Sequence, residues 1–361
     1  MAVGSLKKLE VGARRLFFRG LAPMVEAARV KPAIDPDAGV ERILLMRQDR
    51  LGDMIVTLPL IRILREKYGR VGVVVSSGNG IVLKYEAGID VLEYGKRPGD
   101  FLESLHRARD FAPDAVVDMH FHDSTTSFVF SVVSGAAWRV HAEGDRKLPF
   151  NVRVPVPMDG HVMEAFADLL SGLGKNIDLD RATLLRRPAV SPEEEGFARR
   201  FWKTSGLSPE ECVAVNVSAG SSNRDWEADK YAAVCGEVIR RGSVPLVMSS
   251  VRDRAKAVAV TGKVRGAVPA PKTPTILHLA TLLRNVKLVV SPDTSVVHLA
   301  ASMEVPVVGM YLPVGKPLPK WYPWRVASRV VVSPDSESLN ALDAREVVPA
   351  VAEMLEDADH G

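Results

Sequence analysis

A chain of 361 residues, 47% of them hydrophobic, exceeds the size at which one core usually stops growing and carries enough apolar material for two domains. Lys and Arg number 47 against 44 Asp and Glu, and the resulting net charge of +3 does not call for nucleic acid as a partner. Cys212 and Cys235 belong to no CxxC pair, no apolar run approaches the roughly 18 residues of a membrane span, and the N-terminus lacks a signal-peptide core; the reading is a cytoplasmic protein, neither integral nor exported, without a disulfide framework or zinc knuckle.

Residues 5–25 place Leu6, Leu9, Ala13, Leu16, Phe17, Leu21 and Met24 on one helical face, with Lys8, Arg15 and Arg19 opposite and Lys7 and Arg14 beside them. Such a basic amphipathic helix suits either a membrane surface or docking on the protein's own body. A linker around Pro32-Ala33-Ile34-Asp35-Pro36 ends this N-terminal extension, taken as residues 1–40.

Ile43-Leu44-Leu45-Met46 is a continuous apolar run of the kind found in parallel strands buried on both faces. It leads into Arg47-Gln48-Asp49-Arg50-Leu51-Gly52-Asp53-Met54-Ile55-Val56-Thr57-Leu58-Pro59. A helix is predicted from Met54 to about Lys67, with Ile55, Leu58, Ile61, Ile63 and Leu64 as its buried stripe. Asp53 then sits beyond the carboxyl end of the strand, where open α/β sheets bind ligands. Taken alone it reads first as a helix N-cap. Arg47, Arg50, Arg62 and Arg65 gather around this loop and helix, where they could attract an acidic ligand; ordinary solvated helix surface is the alternative for all four, above all for Arg65.

Strands are predicted at Val71–Ser76, Val91–Tyr94 and Ala115–Met119, alternating with helical segments near 79–87, 99–109 and 124–133, the pattern of a doubly wound domain. Gly78-Asn79-Gly80 lacks the third glycine of a dinucleotide loop, which argues against a dehydrogenase. In Asp118-Met119-His120-Phe121-His122-Asp123 carboxylate and imidazole alternate, as they can around a metal, but no second ligand cluster is evident. Residues 145–190 are rich in Pro, Arg and Gly, hold a helix from His161 to Leu170, and place the crossover to a second domain near 175–195. The alternation then restarts, with strands at Val213–Val217, Val244–Met248, Leu288–Ser291 and Val305–Met310. Helices fall near 228–241, 252–262, 275–284 and 295–303, and a last one near 342–356 is expected to cross back.

The strand at Val286–Ser291 runs into Pro292-Asp293-Thr294-Ser295-Val296-Val297-His298-Leu299-Ala300-Ala301, a second strand, polar turn and small-residue helix. The N–H groups and positive dipole end of that helix suit a phosphate, and Thr294 and Ser295 add hydroxyls.

Together the two junctions resemble the signature of glycosyltransferase family 9, the lipopolysaccharide heptosyltransferases. Its pattern is an arginine, then Gly-Asp and a Pro-containing helix, and later Asp-Thr-Gly-x-x-His-Leu-Ala-Ala. The resemblance runs from about Arg42 to Leu312. It implies an α/β protein of GT-B architecture: two Rossmann-like doubly wound domains facing across a cleft. The acceptor-binding domain would span 41–185, and the donor-binding domain with its C-terminal helix 186–361. It also implies an inverting, metal-independent transfer of heptose from ADP-heptose to a lipopolysaccharide core or related glycolipid. No cofactor beyond the nucleotide sugar is expected. The family's acceptor is a lipid of the inner membrane, which favours a peripheral position on the inner face of the cytoplasmic membrane.

Residue by residue, Asp53 matches the family's proposed base, which at an ordinary carboxylate pKa would be ionised at neutral pH. Asp118 and His120 match an Asp-x-(Gln or His) on the acceptor side, where Arg47, Arg50 and Arg62 would join them. The leaving diphosphate would be held by Thr294, Ser295 and Val296 at the helix start with Asp293 in the turn. Arg224 in Ser218-Ala219-Gly220-Ser221-Ser222-Asn223-Arg224-Asp225-Trp226 matches the lysine of a Lys-x-Trp loop, with Ser221 and Ser222 as further donors; an ordinary loop arginine is the alternative. Asp253 matches a ribose-binding acid or caps a helix, and His298 either orders the Asp293 turn or simply packs. The chain departs from the pattern at Ser295 (Gly), Pro292 (often Asn), Ser124-Thr125 (Arg-Ser) and Leu312-Pro313 (Gly-Pro). These departures leave open another nucleotide sugar for a different surface glycan, or a catalytically silent glycan-binding protein.

Overall fold

Apolar runs rich in Val, Leu and Ile become strands buried on both faces, and they assemble into two wholly parallel six-stranded sheets. The computed structural model describes residues 31, 33–95, 97–122, 124–144, 149–313 and 320–360, so the amphipathic segment 5–25 lies outside the described residues. The first sheet contains β1 (Arg42–Met46), β2 (Arg70–Ser76), β3 (Ile89–Tyr94), β4 (Ala115–Asp118), β5 (Trp138–Ala142) and β6 (Val152–Val154), in the order β3-β2-β1-β4-β5-β6. The second contains β7 (Cys212–Asn216), β8 (Val244–Met248), β9 (Val268–Pro269), β10 (Leu288–Pro292), β11 (Val307–Tyr311) and β12 (Ser328–Val332), in the order β12-β11-β10-β7-β8-β9.

Counted within its own sheet, each order is 3-2-1-4-5-6, the doubly wound arrangement whose strand order reverses between the first and fourth strands. The register pairs Met46 with Asp118 and Val290 with Val215. The carboxyl ends of β1 and β4, and of β7 and β10, therefore open side by side as the two crevices where this topology binds ligands.

The connecting helices are α1 (Leu51–Lys67), α2 (Pro98–Asp110), α3 (Thr125–Val133), α4 (Val162–Ser171), α5 (Leu179–Leu184), α6 (Pro192–Ser205), α7 (Ala228–Arg240), α8 (Arg254–Lys263), α9 (Ile276–Leu283), α10 (Ser295–Ser302) and α11 (Ala344–His360). Helix α1 starts three residues earlier than the apolar periodicity suggests, because Arg50 N donates to Asp53 Oδ2 at 3.2 Å and closes the first turn. The helix expected over 79–87 shrinks to a single 3-10 turn, Gly80–Leu83.

Strands β5, β6, β9 and β12 are not legible from apolar runs. In β5 Arg139 and His141 interrupt the run, and β12 is a half-exposed edge strand. Helix α6 is announced by Ser191-Pro192-Glu193-Glu194: Ser191 Oγ accepts from Glu193 N at 3.2 Å and Ser191 N donates to Glu194 Oε2 at 2.8 Å. Helix α11 packs on α7 and on the second sheet through Val347, Val351, Met354 and Leu355, in place of the crossing back expected.

The two sheets are joined by one continuous apolar core in which α1, through Met54, Ile55 and Leu58, packs along α10, through Val297, Leu299 and Ala300. Polar ties reinforce the join: Tyr85 OH donates to Glu194 Oε1 at 3.0 Å, and Arg62, paired within its own half with Glu86 through Nε at 2.8 Å, donates from Nη1 to Arg187 O at 2.8 Å.

Candidate active site

Asp53 is the third residue of α1, and its side chain both caps that helix and stays half-exposed at the mouth of the β1/β4 crevice. The two readings of the residue are therefore compatible. Its backbone is fixed from two sides: Asp53 O accepts from Thr57 Oγ1 at 2.7 Å and from Arg47 Nε and Nη2 at 3.3 and 3.2 Å. Burial, the largest influence, raises the Asp53 pKa to about 7; the Arg47 charge opposes this, and the charge and hydrogen bond of Asp49 add to it. The carboxyl is thus not the ordinary one the sequence implies.

Four residues expected on the acceptor side have other surroundings. Arg47 is 1% exposed, donates from Nη1 to Met119 O at 3.1 Å, pairs with Asp49 Oδ2 at 3.2 Å and stacks over Phe166. It presents no charge to solvent and braces the turn from within. Arg62 is engaged by Glu86 and by the carbonyls of Leu185 and Arg187, tying α1 to the segment that crosses between the sheets. Asp118 and His120 are 0% and 3% exposed and bond to each other, His120 Nδ1 lying 2.6 Å from Asp118 Oδ1. They stand behind the Asp49 turn and do not line an open cleft. Arg50 alone of these arginines and acids is exposed, and its charge reaches Asp293 on the second sheet.

On the other side, Thr294 caps α10, its Oγ1 accepting from Val296 N at 3.3 Å. The Val296 amide is thereby occupied, which leaves the Ser295 amide as the first-turn donor aimed out of the helix. The turn is held by Asn216, which sequence reasoning passed over: its Nδ2 donates to Ser291 Oγ at 2.9 Å, to Thr294 Oγ1 at 3.3 Å and to Ser218 O at 3.3 Å. The signal was an amide ending an otherwise apolar strand at its carboxyl end. Arg224 holds the same turn by donating from Nη1 to Asp293 O at 2.9 Å while Nη2 lies 3.0 Å from Asp293 Oδ2. Its loop is anchored by Trp226, fully buried, edge-on to Tyr231 and donating from Nε1 to Leu342 O at 2.9 Å. Burial raises the Asp293 pKa, against the lowering effect of Arg224 and Arg50.

Between these loops lies a cavity of about 230 Å³ lined by Asn216, Ser218, Gly220, Ser250, Thr294 and Ser295 among others, at the β7/β10 switch point. Ser221 and Ser222 fall outside its lining, on an exposed 3-10 turn. Asp253 also lies outside it, accepting from Ser250 Oγ at 2.7 Å without capping α8. His298 is buried beside Trp321, and burial lowers its pKa to about 3, so it is a neutral packed ring.

The two half-sites touch at Gly52. A methyl group placed there would lie 2.9 Å from His298 Cδ2 and 3.4 Å from the Ser295 Cα, so only glycine lets the start of α1 approach the start of α10 this closely. A half-buried carboxyl with a pKa near neutrality on one helix, with Arg50 beside it, thus faces a hydroxyl-lined cavity, a helix start and Arg224 on the other side. That combination suits proton abstraction paired with stabilisation of an anionic leaving group.

Comparison with known proteins gives the family. Residues 114–348 match glycosyltransferase family 9 (heptosyltransferase). The lipopolysaccharide core heptosyltransferase OpsX of Haemophilus influenzae is 23% identical over 292 residues, 74% of this chain and 78% of that protein. Among solved structures, a family 9 glycosyltransferase from Veillonella parvula superposes with a TM-score of 0.75 at 18% identity, covering 90% of this chain and 99% of that one. The E. coli ADP-heptose lipopolysaccharide heptosyltransferase II does so with a TM-score of 0.67 at 18% identity, covering 88% and 99%. These likenesses fix the fold as GT-B, and the family match, which spans most of the chain, makes the protein an enzyme of glycosyl transfer: it belongs to glycosyltransferase family 9, the heptosyltransferase family.

Proposed function

We propose that the protein transfers heptose from ADP-heptose, with inversion and without a metal, to a lipopolysaccharide core or related glycolipid at the cytoplasmic face of the membrane. The observation that carries this reading is the contact at Gly52, which sets Asp53 on one sheet opposite the Thr294-Ser295 helix start on the other. Asp53 takes the proton of the acceptor hydroxyl as that oxygen attacks the anomeric carbon; the carbon–oxygen bond to the diphosphate breaks on the opposite face. The charge that develops on the diphosphate meets the Ser295 amide, the α10 dipole and the Arg224 and Arg50 guanidiniums. The nucleoside occupies the cavity behind Thr294, between Gly220 and Ser250.

The test is a calorimetric and thermal-shift panel of ADP, ADP-heptose, UDP sugars and GDP sugars against the wild type and Thr294→Ala. ADP-heptose is expected to bind best, and the substitution, which removes a cap worth about 1 kcal/mol and loosens the Ser295 amide, to weaken it about 5- to 10-fold. Binding confined to another nucleotide would keep the fold and overturn the heptose assignment, an outcome that Ser295 in place of glycine gives reason to include.

A further inference from the structure

The carboxyl of Asp53 has a second acid beside it. Asp49 closes the turn after β1, and one of its oxygens, Oδ2, lies 3.2 Å from Arg47 Nη1 and 3.6 Å from His120 Nε2. His120 is itself fixed through Nδ1, 2.6 Å from Asp118 Oδ1, and Asp118 Oδ2 lies 3.5 Å from His141 Nδ1 on β5. The array runs inward from the crevice: the Asp49 side chain is 20% exposed, that of His120 2% and that of Asp118 0%. Arg47, Asp118 and His120 thus form a buried frame behind Asp49, and Arg47 brings the two acids onto one guanidinium, since it holds Asp49 Oδ2 through Nη1 while Nε and Nη2 donate to Asp53 O at 3.3 and 3.2 Å; the other Asp49 oxygen, Oδ1, is buried with no hydrogen-bond partner among the described residues.

We propose that Asp49, held by Arg47 and by the Asp118–His120 pair, is the positioning residue that makes Asp53 an effective base. The inference rests on the reading of Asp53 as the acceptor-hydroxyl base. When the acceptor O–H bond breaks, its proton joins Asp53 and the electron pair of that bond forms the new bond to the anomeric carbon. The pair of the broken carbon–oxygen bond leaves with the diphosphate. Before the transfer two carboxylates face each other; afterwards a neutral Asp53 donates a hydrogen bond to the Asp49 anion. The repulsion is relieved only as the proton arrives, so Asp49 favours the transition state over the ground state. Burial and the Asp49 charge both act on Asp53 in the direction this requires. Arg47 and His120 hold Asp49 itself below the usual carboxylate range against the effect of burial.

The charged and titratable groups around the pair are Arg47 and Arg50 on the same turn, Asp118 and His120 from the end of β4, with His122 edge-on to His120, and His141 from β5. Asp293, with Arg224, lies across the crevice.

The experiment is the pH profile of kcat/KM for the wild type, Asp49→Asn and Asp53→Asn, with folding checked by circular dichroism. The wild type should lose activity below pH about 7. Asp49→Asn should move that acidic limb down by about one pH unit and lower the plateau severalfold, because a weaker base abstracts the proton. An unmoved limb with Asp53→Asn inactive would overturn the role of Asp49 and leave the base reading standing. Wild-type turnover in Asp53→Asn would overturn the base reading itself. Should Asp49→Asn not fold, carboxyl 13C titration of the wild type decides the matter. The Asp49 carbon must respond at the Asp53 midpoint, identified by its loss in Asp53→Asn, and silence there overturns the pairing.

Discussion

Asp53→Asn is expected to lower kcat by about a thousandfold while leaving the protein at least as stable as the wild type, since a positioned general base contributes roughly 10²–10⁴. Asparagine keeps the oxygen that accepts from Arg50 N, so the first turn of α1 stays closed, and the Asp53 carbonyl keeps its bonds from Thr57 and Arg47. The stability side follows from the pKa. Asp53 titrates near 7 in the fold against 3.8 as a free side chain. Between those values the folded protein holds a proton that the unfolded chain has released, so the contribution of Asp53 to stability falls as pH rises from about 4 to about 7 and stays low above. The amide cannot ionise. The variant should therefore melt at or above the wild-type temperature at pH 8 and resemble it near pH 4. A thermal scan at the two pH values beside single-turnover kinetics checks both halves; an inactive variant that also melted far lower would show that the carboxylate is needed chiefly for folding.

The second large effect is expected at Gly52. Glycine inside a helix costs about 1 kcal/mol relative to alanine, so its place in the first turn of α1 needs a packing reason. The reason is the 2.9 Å to His298 Cδ2 that any Cβ would meet, on a ring already buried against Trp321. Gly52→Val should cost about 1–3 kcal/mol from overpacking. It should also lower kcat/KM by about a hundredfold, because wedging the two helix starts apart displaces Asp53 from the donor by a fraction of an ångström or more. Gly52→Ala should lie between. Adding His298→Ala should recover part of the valine loss, a coupling that a double-mutant cycle measures directly. Additive losses would show that the contact does not set the geometry.

Both effects start from residues that the sequence makes visible, Gly52 and Asp53 between an apolar strand and an amphipathic helix. The turn at Asp293-Thr294-Ser295 is equally visible, because a strand, a polar turn and a small-residue helix leave a local signature that needs no knowledge of the partner sheet. The arginines were less legible. Arg47, Arg50 and Arg62 look alike in the chain, yet one is sealed against Phe166, one faces Asp293 across the crevice, and one clamps the crossing segment. Asp118 and His120 matched the family pattern, but the pairing of Met46 with Asp118 carries them behind the turn, out of the open cleft. Asn216 and Asp49 were passed over because each acts on a segment far away in sequence or around a turn, and periodicity carries no such information.

What the sequence by itself determined is the alternation of buried parallel strands with helices, the two strand-to-helix junctions, and a family membership that the comparison bears out. Those follow from hydrophobic period and turn chemistry, which act over a few residues. Only the tertiary structure decided that α1 meets α10 at Gly52, that Asn216 and Arg224 hold the Asp293 turn, and that Asp53 is half-buried near Asp49 and so departs from an ordinary carboxylate. Desolvation and like-charge proximity depend on which surfaces pack together, and that is settled by the joining of two sheets.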